Sequence, residues 1–191
     1  MKKALMISAI ALAIAATGLL ARGYTAPSPA VQETITGDWT AKVKQTDKGP
    51  VLWLSLNRNT DTRKGDFQMS HDFPLRDFTG LNPNANSNTQ FTLQREAGAV
   101  LFDGLFKDGK GVGDFKFTPN SGFIATMRNL GYDGLTTEKL FTMTVLDVSS
   151  NFIKELKSLG YKPDLNQLIS LRALGVTGAF AREAQGWGFG K

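Results

Sequence analysis

At Pro119 the spacing of apolar residues changes from every second position to every third or fourth. From Gly37 to Pro119 they recur mostly at alternate residues, the period that sends successive side chains to opposite faces of a strand. Trp39, Ala41 and Val43 form one set, and Leu52, Leu54 and Leu56 form the next after a Lys48-Gly49-Pro50 turn. Phe67 and Met69, Phe91 and Leu93, Val100, Phe102 and Phe106, then Phe115 and Phe117 continue the pattern. Between two of these runs, Asp108-Gly109 offers the positive φ angles that tight hairpins need. Such a series with no helix between strands predicts an antiparallel sheet curling over one hydrophobic face. The expected class is therefore α+β: an antiparallel β meander of about six strands over residues 31–119, followed by short helical-pair repeats over 120–191.

The helical part shows internal repetition. Phe123-Ile124 precedes Leu130-Gly131-Tyr132 as Phe152-Ile153 precedes Leu159-Gly160-Tyr161, an offset of 29 residues, and Phe180-Ala181 to Gly186-Trp187 is an eroded third copy. A second match sets Val148-Ser149, Phe152 and Glu155 against Val176-Thr177, Phe180 and Glu183, offset by 28. A period of this length is ordinarily one supersecondary unit, here two short helices. Thr136, Ser149, Asp164 and Thr177 stand at expected N-caps, with Gln167 three residues beyond Asp164, and Gly131, Gly160, Gly175 and Gly186 stand at expected left-handed C-terminal positions. Helices of two or three turns are not stable alone, so the array must pack on itself and on the sheet.

The N-terminus carries a leader pattern. Met1-Lys2-Lys3 is basic, and Ala4 to Leu20 is an apolar run of 17 residues, so residues 1–30 are expected to be a signal peptide or an N-terminal membrane anchor. The chain is expected to be exported, periplasmic or extracellular. It has no Cys, which rules out a disulfide framework and a lipidated cysteine. Of its 22 Lys and Arg, Lys2, Lys3 and Arg22 belong to the leader, leaving 19 cationic against 17 acidic side chains. That near balance, without a dense basic stripe, argues against a nucleic-acid partner.

Two segments resemble a known arrangement. Leu159-Gly160-Tyr161 through Leu168-Ile169-Ser170-Leu171-Arg172-Ala173-Leu174-Gly175-Val176-Thr177-Gly178-Ala179-Phe180 is similar to short helical repeats appended to β-lactam-sensing antirepressor-type membrane metallopeptidases. Phe91-Thr92-Leu93-Gln94-Arg95-Glu96-Ala97-Gly98 to Phe115-Lys116-Phe117-Thr118-Pro119-Asn120 resembles the β segment that often precedes those repeats. The peptidase half has no counterpart, since no His-Glu-x-x-His occurs and the chain has one His. The resemblance implies an extracytoplasmic sensing or interaction module.

Motifs that carry chemistry are sparse. Gly104-x-x-x-x-Gly109-Lys110 imitates a phosphate-binding loop, but Gly111 replaces the Ser or Thr that would hold magnesium, and the stretch lies in a hairpin rather than a strand-to-helix turn. Gly109, Gly111 and Gly113 imitate a dinucleotide fingerprint with the same defect. His71-Asp72 is half of a nucleophilic triad in composition only, because strand neighbours face opposite ways. One His and no Cys cannot build a structural zinc site, and Asp61, Asp66, Asp72 and Asp77 are too scattered for a calcium loop. Glu96 and Asp103 are the carboxylates to examine for an unfamiliar enzyme site. The Asn-rich stretch Asn82–Asn88 is expected to be a polar loop. No cofactor or metal is expected.

These features predict a noncatalytic interaction or sensory module of the bacterial cell envelope that binds a protein partner. Tyr132, Tyr161 and Trp187 recur at one repeat position and, with Arg172 and Arg182, are the candidate contact residues; a solvated face is the plain reading of the arginines and of Lys154. The alternative is a lipocalin-like binder of a small molecule or lipid, because Gly37-Asp38-Trp39 resembles the Gly-x-Trp opening of such barrels. Trp39 and Trp53 would then line its pocket.

Overall fold

The computed structural model describes residues 34–58 and 67–188; the leader segment, Asp61 and Asp66 lie outside the described residues. The protein is α+β. Its strands are β1 (Ile35–Thr46), β2 (Gly49–Arg58), β3 (Phe67–Pro74), β4 (Phe78–Thr79), β5 (Ser87–Arg95), β6 (Gly98–Lys107) and β7 (Lys110–Pro119). They form one antiparallel sheet in the order β3-β2-β1-β7-β6-β5-β4. Around the sheet every neighbour is also a sequence neighbour except β1 and β7, which pair with Ile35 opposite Phe117. A single 3-10 turn, Leu75–Asp77, carries the chain from one edge strand to the other. The edges come close enough for the rings of Phe73 and Phe78 to meet at 5.5 Å. The described sheet has seven strands where the spacing predicts about six. The added strand is β4, whose two residues are too few to display an alternating pattern.

The concave face is filled by aromatic rings. Trp39 lies edge-on to Phe91 and Phe102 at 5.3 and 6.0 Å and stacks on Phe106 at 5.9 Å. Its indole N–H donates to the carbonyls of Asp103 and Asp114, so the one polar atom of a fully buried ring is satisfied. Gly104 and Gly111 make room for this indole. A Cβ on Gly111 would stand 2.6 Å from both Phe106 Cε2 and Trp39 Cζ3. Asp108 and Gly109, at φ 51° and 71°, make the β6–β7 turn.

Five helices follow, each of nine residues: α1 (Ser121–Asn129), α2 (Thr137–Val145), α3 (Ser150–Ser158), α4 (Leu165–Ala173) and α5 (Gly178–Gly186). The side chains of Asn120, Thr136, Ser149, Asp164 and Thr177 each accept a backbone N–H of the first turn. At Asp164 the Gln167 side chain returns the bond to make a capping box. Left-handed residues past the helix ends are Gly131, Asp147, Gly160, Gly175 and Gly188. Gly186 is therefore not the terminator: it is the last helical residue of α5, and Gly188 takes the left-handed turn.

Helix α2 joins the helices to the sheet. Phe141 lies parallel to Phe115 at 5.5 Å and tilts against Phe117 at 5.3 Å, so sheet and helices share a continuous core. Each buried phenylalanine adds about 1.5–3 kcal/mol relative to exposure. The β5–β6 turn also grips the helices, since the carboxylate of Glu96 accepts the backbone N–H of Ser150 at 2.8 Å and its carbonyl accepts the Asn120 amide. Among the described residues no helix is long and apolar enough to cross a membrane.

Candidate functional site

An apolar groove of about 550 Å³ lies between α4 and α5. One wall is the stripe Gln167, Ser170, Leu171 and Leu174 of α4 and its C-cap, whose spacing puts them on one helical face. Phe180 and Ala184 of α5 form the other, and Leu156 of α3 lies at its base. Tyr161 and Lys162 border one end. Two large apolar side chains of the lining are open to solvent: Leu174 is 81% exposed and Phe180 49%. Grouped exposure of large apolar side chains is a feature that recurs at interaction and ligand-binding surfaces.

A recurrent contact organises the helices around this groove. The eighth residue of α3, Lys157, donates to the carbonyl of Leu130 at the end of α1. The eighth residue of α4, Arg172, donates from Nε to the carbonyls of Leu146 and Asp147 at the end of α2, each at 3.1 Å. The eighth residue of α5, Gln185, donates to the carbonyl of Leu159 at the end of α3 at 2.9 Å. In each case a polar side chain satisfies a carbonyl that a helix terminus leaves without an intrahelical partner. Among the described residues no donor reaches the carbonyl of Leu174, at the end of α4.

A second, polar cleft of about 380 Å³ lies where the sheet edge meets the helices, lined by His71, Asp72, Arg76, Asp77, Arg95, Asp147 and Arg172. Asp77 pairs with Arg95 at 2.6 Å, Arg95 with Asp147 at 3.2 Å, and Asp147 with Arg172 at 3.4 Å. This chain of alternating charge ties β5 and the 3-10 turn to the α2–α3 corner and to α4. Burial pushes the His71 imidazole below its usual pKa; Asp72 opposes that shift, and Arg172 and Arg95 add to it.

The residues singled out in the sequence fall in different surroundings. Tyr132 is buried, its hydroxyl donating to the Pro163 carbonyl at 2.9 Å, and burial first and Asp164 second raise its pKa. Tyr161 borders the groove. Trp187 is exposed, Arg182 stands 3.9 Å from Glu155, and Arg172 is held by the contacts just described. Trp39 is enclosed on the concave face, whereas Trp53 is on the opposite face of β2, under the ammonium of Lys44. His71 pairs with Leu54 and shares its face of the sheet, yet is exposed at the edge, while Asp72 lies on the other face and accepts from Lys44. Glu96 and Asp103 are not brought together: the first caps α3 and the second accepts from Gln90. Among the described residues no three His, Asp or Glu side chains gather as metal ligands.

Sequence reasoning missed Leu174, Phe180 and Ala184 as surface residues because their spacing is that of ordinary core positions. The available signal was the repeat itself, which aligns Phe180 with Phe152. It also missed Arg95, Asp77 and Asp147, which only the tertiary fold brings together. In comparisons with known proteins, the chain matches no family model, no curated protein and no solved structure.

Proposed function

We propose that this protein is an exported, noncatalytic interaction module of the bacterial cell envelope, which holds a protein partner on an array of helical-pair repeats. The observation that carries this reading is the apolar groove between α4 and α5, which leaves Leu174 and Phe180 open to solvent. The repeat reading draws support from three features. The helices are of equal length, α1, α3 and α5 begin 28 or 29 residues apart as do α2 and α4, and the eighth-residue contact recurs three times. A stack of such units buries one face of each against the next, and the groove between α4 and α5 is such a face left open among the described residues. The resemblance to segments appended to antirepressor-type peptidases agrees with a sensing or docking role.

The test is site-specific photocrosslinking in the native cells, from position 180 in the groove and from position 112 on the outer face of the sheet. A defined envelope protein joined at 180 and absent at 112 is the expected result. Crosslinking at neither position, together with a lipid or small molecule that copurifies with the protein in native mass spectrometry, would replace this reading with that of a carrier.

A further inference from the structure

The groove has a filled counterpart within the same molecule. Moving back 28 residues converts Leu171, Leu174, Val176, Phe180 and Ala181 into Met143, Leu146, Val148, Phe152 and Ile153. There the surface is closed: Phe152 is 6% exposed where Phe180 is 49%. What closes it is α4. Its first and fourth residues, Leu165 and Leu168, are buried. Its eighth, Arg172, lies over the Phe152 ring at 5.4 Å and donates to the Leu146 carbonyl. Its N-terminal end is held where the Tyr132 hydroxyl meets the Pro163 carbonyl. The filled groove thus states what the open one is shaped to receive.

From this we infer that the α4–α5 groove is the receptor for an amphipathic helix of a partner protein, docked as α4 docks on the preceding pair. The inference rests on the proposed interaction role and specifies the partner's chemistry. The helix carries leucine or a similar side chain at its first and fourth positions and a cation or amide donor at its eighth. That eighth residue meets the open carbonyl of Leu174 at the negative end of α4 and lies over Phe180, as Arg172 meets Leu146 and lies over Phe152. The helix's N-terminal turn falls at the Tyr161–Lys162 end. None of the described ion pairs engages Lys162, so an acidic first turn matches it. Acid first and base last is also the distribution that a helix's own dipole favours. This is recognition of one helical face by a groove, with anchors at helical spacing.

The probe is a fluorescein-labelled synthetic peptide with the sequence of residues 161–176, hydrocarbon-stapled through the solvent-facing positions 166 and 170, because a free helix of this length is only marginally formed. It is titrated against the full chain by fluorescence polarisation. The expected result is saturable binding of one peptide per chain, weakened at least tenfold by Leu174→Asp or Phe180→Asp in the protein. Both residues are exposed, and circular dichroism verifies that the variants remain folded. In the peptide, Leu168→Asp or Arg172→Ala weakens binding comparably, and Lys162→Glu in the protein weakens it about two- to fivefold. The inference is overturned by absence of saturable binding, by binding indifferent to Leu174→Asp and Phe180→Asp, which would mean the peptide displaces α4 instead, or by self-association of the chain that Phe180→Asp abolishes, which would assign the groove to a second copy. The crosslink from position 180 is read separately. A protein joined there through a segment lacking this pattern sinks the helix inference and leaves the interaction role standing, whereas no crosslink removes both.

Discussion

At the scale of single residues, the fit of Trp39 into its bed of glycines is the most exacting feature of the sheet. The indole occupies the space a side chain on Gly111 would need, so enlarging that residue forces two buried rings apart. Gly111→Val is expected to destabilise the protein by about 1–3 kcal/mol, the usual range for overpacking a close-packed core. Thermal denaturation followed by near-ultraviolet circular dichroism, which reports the packing of Trp39, would show the lowered midpoint. An unchanged midpoint would mean that the strands shift freely at this point. The glycines were legible in the sequence as hairpin and strand residues, but the reason for them was not. The ring they accommodate stands 72 positions before Gly111, and no local pattern links the two.

At the scale of elements, the helices were legible down to their caps, because capping is local chemistry. Thr136, Ser149, Asp164 and Thr177 were all readable as oxygen acceptors at helix starts, and each accepts the expected N–H. Asn120 was not identified, since it follows directly on a strand-ending proline. The strand β4 was hidden by its brevity. The capping box of α4 is the most complete of these devices, and Asp164→Ala removes the bond its carboxylate accepts from the Gln167 N–H while keeping the one that residue 164 donates from its backbone to Gln167 Oε1. The expected cost is about 1 kcal/mol, and hydrogen exchange should quicken first in residues 165–168. Exchange that quickened equally in all five helices would show instead that α4 does not open by itself. The same helix carries Arg172, so loosening it should also expose Phe152. The groove walls escaped the sequence reading for a physical reason: an apolar stripe on a helix declares a face to be covered without saying whether the chain itself covers it.

At the scale of the whole molecule, the charged chain Asp77–Arg95–Asp147–Arg172 fastens the sheet edge to the helices, and His71 gives that fastening a pH dependence. Its pKa in the folded state lies below the unfolded value, so the unfolded chain binds the proton more readily and stability rises with pH across that interval. The contribution is intact above the unfolded pKa of about 6.5 and is lost as pH falls from there toward the folded value. The midpoint of thermal unfolding is therefore expected to fall between pH 7.5 and 5.5, and His71→Gln should flatten that slope. A slope unchanged in the variant would place the titrating group elsewhere.

The pairing of Ile35 with Phe117 brings the first and last strands of the sheet side by side. The chain therefore enters and leaves the curl within one strand spacing, about 5 Å, after travelling the full circuit of hairpins. In architectural terms the β part is a cassette: its entry and exit share one doorway, so it can be lengthened at an outer turn without moving the point from which α1 departs. Such adjacency of ends is what lets a folded unit sit within a longer polypeptide without spreading apart the segments that flank it.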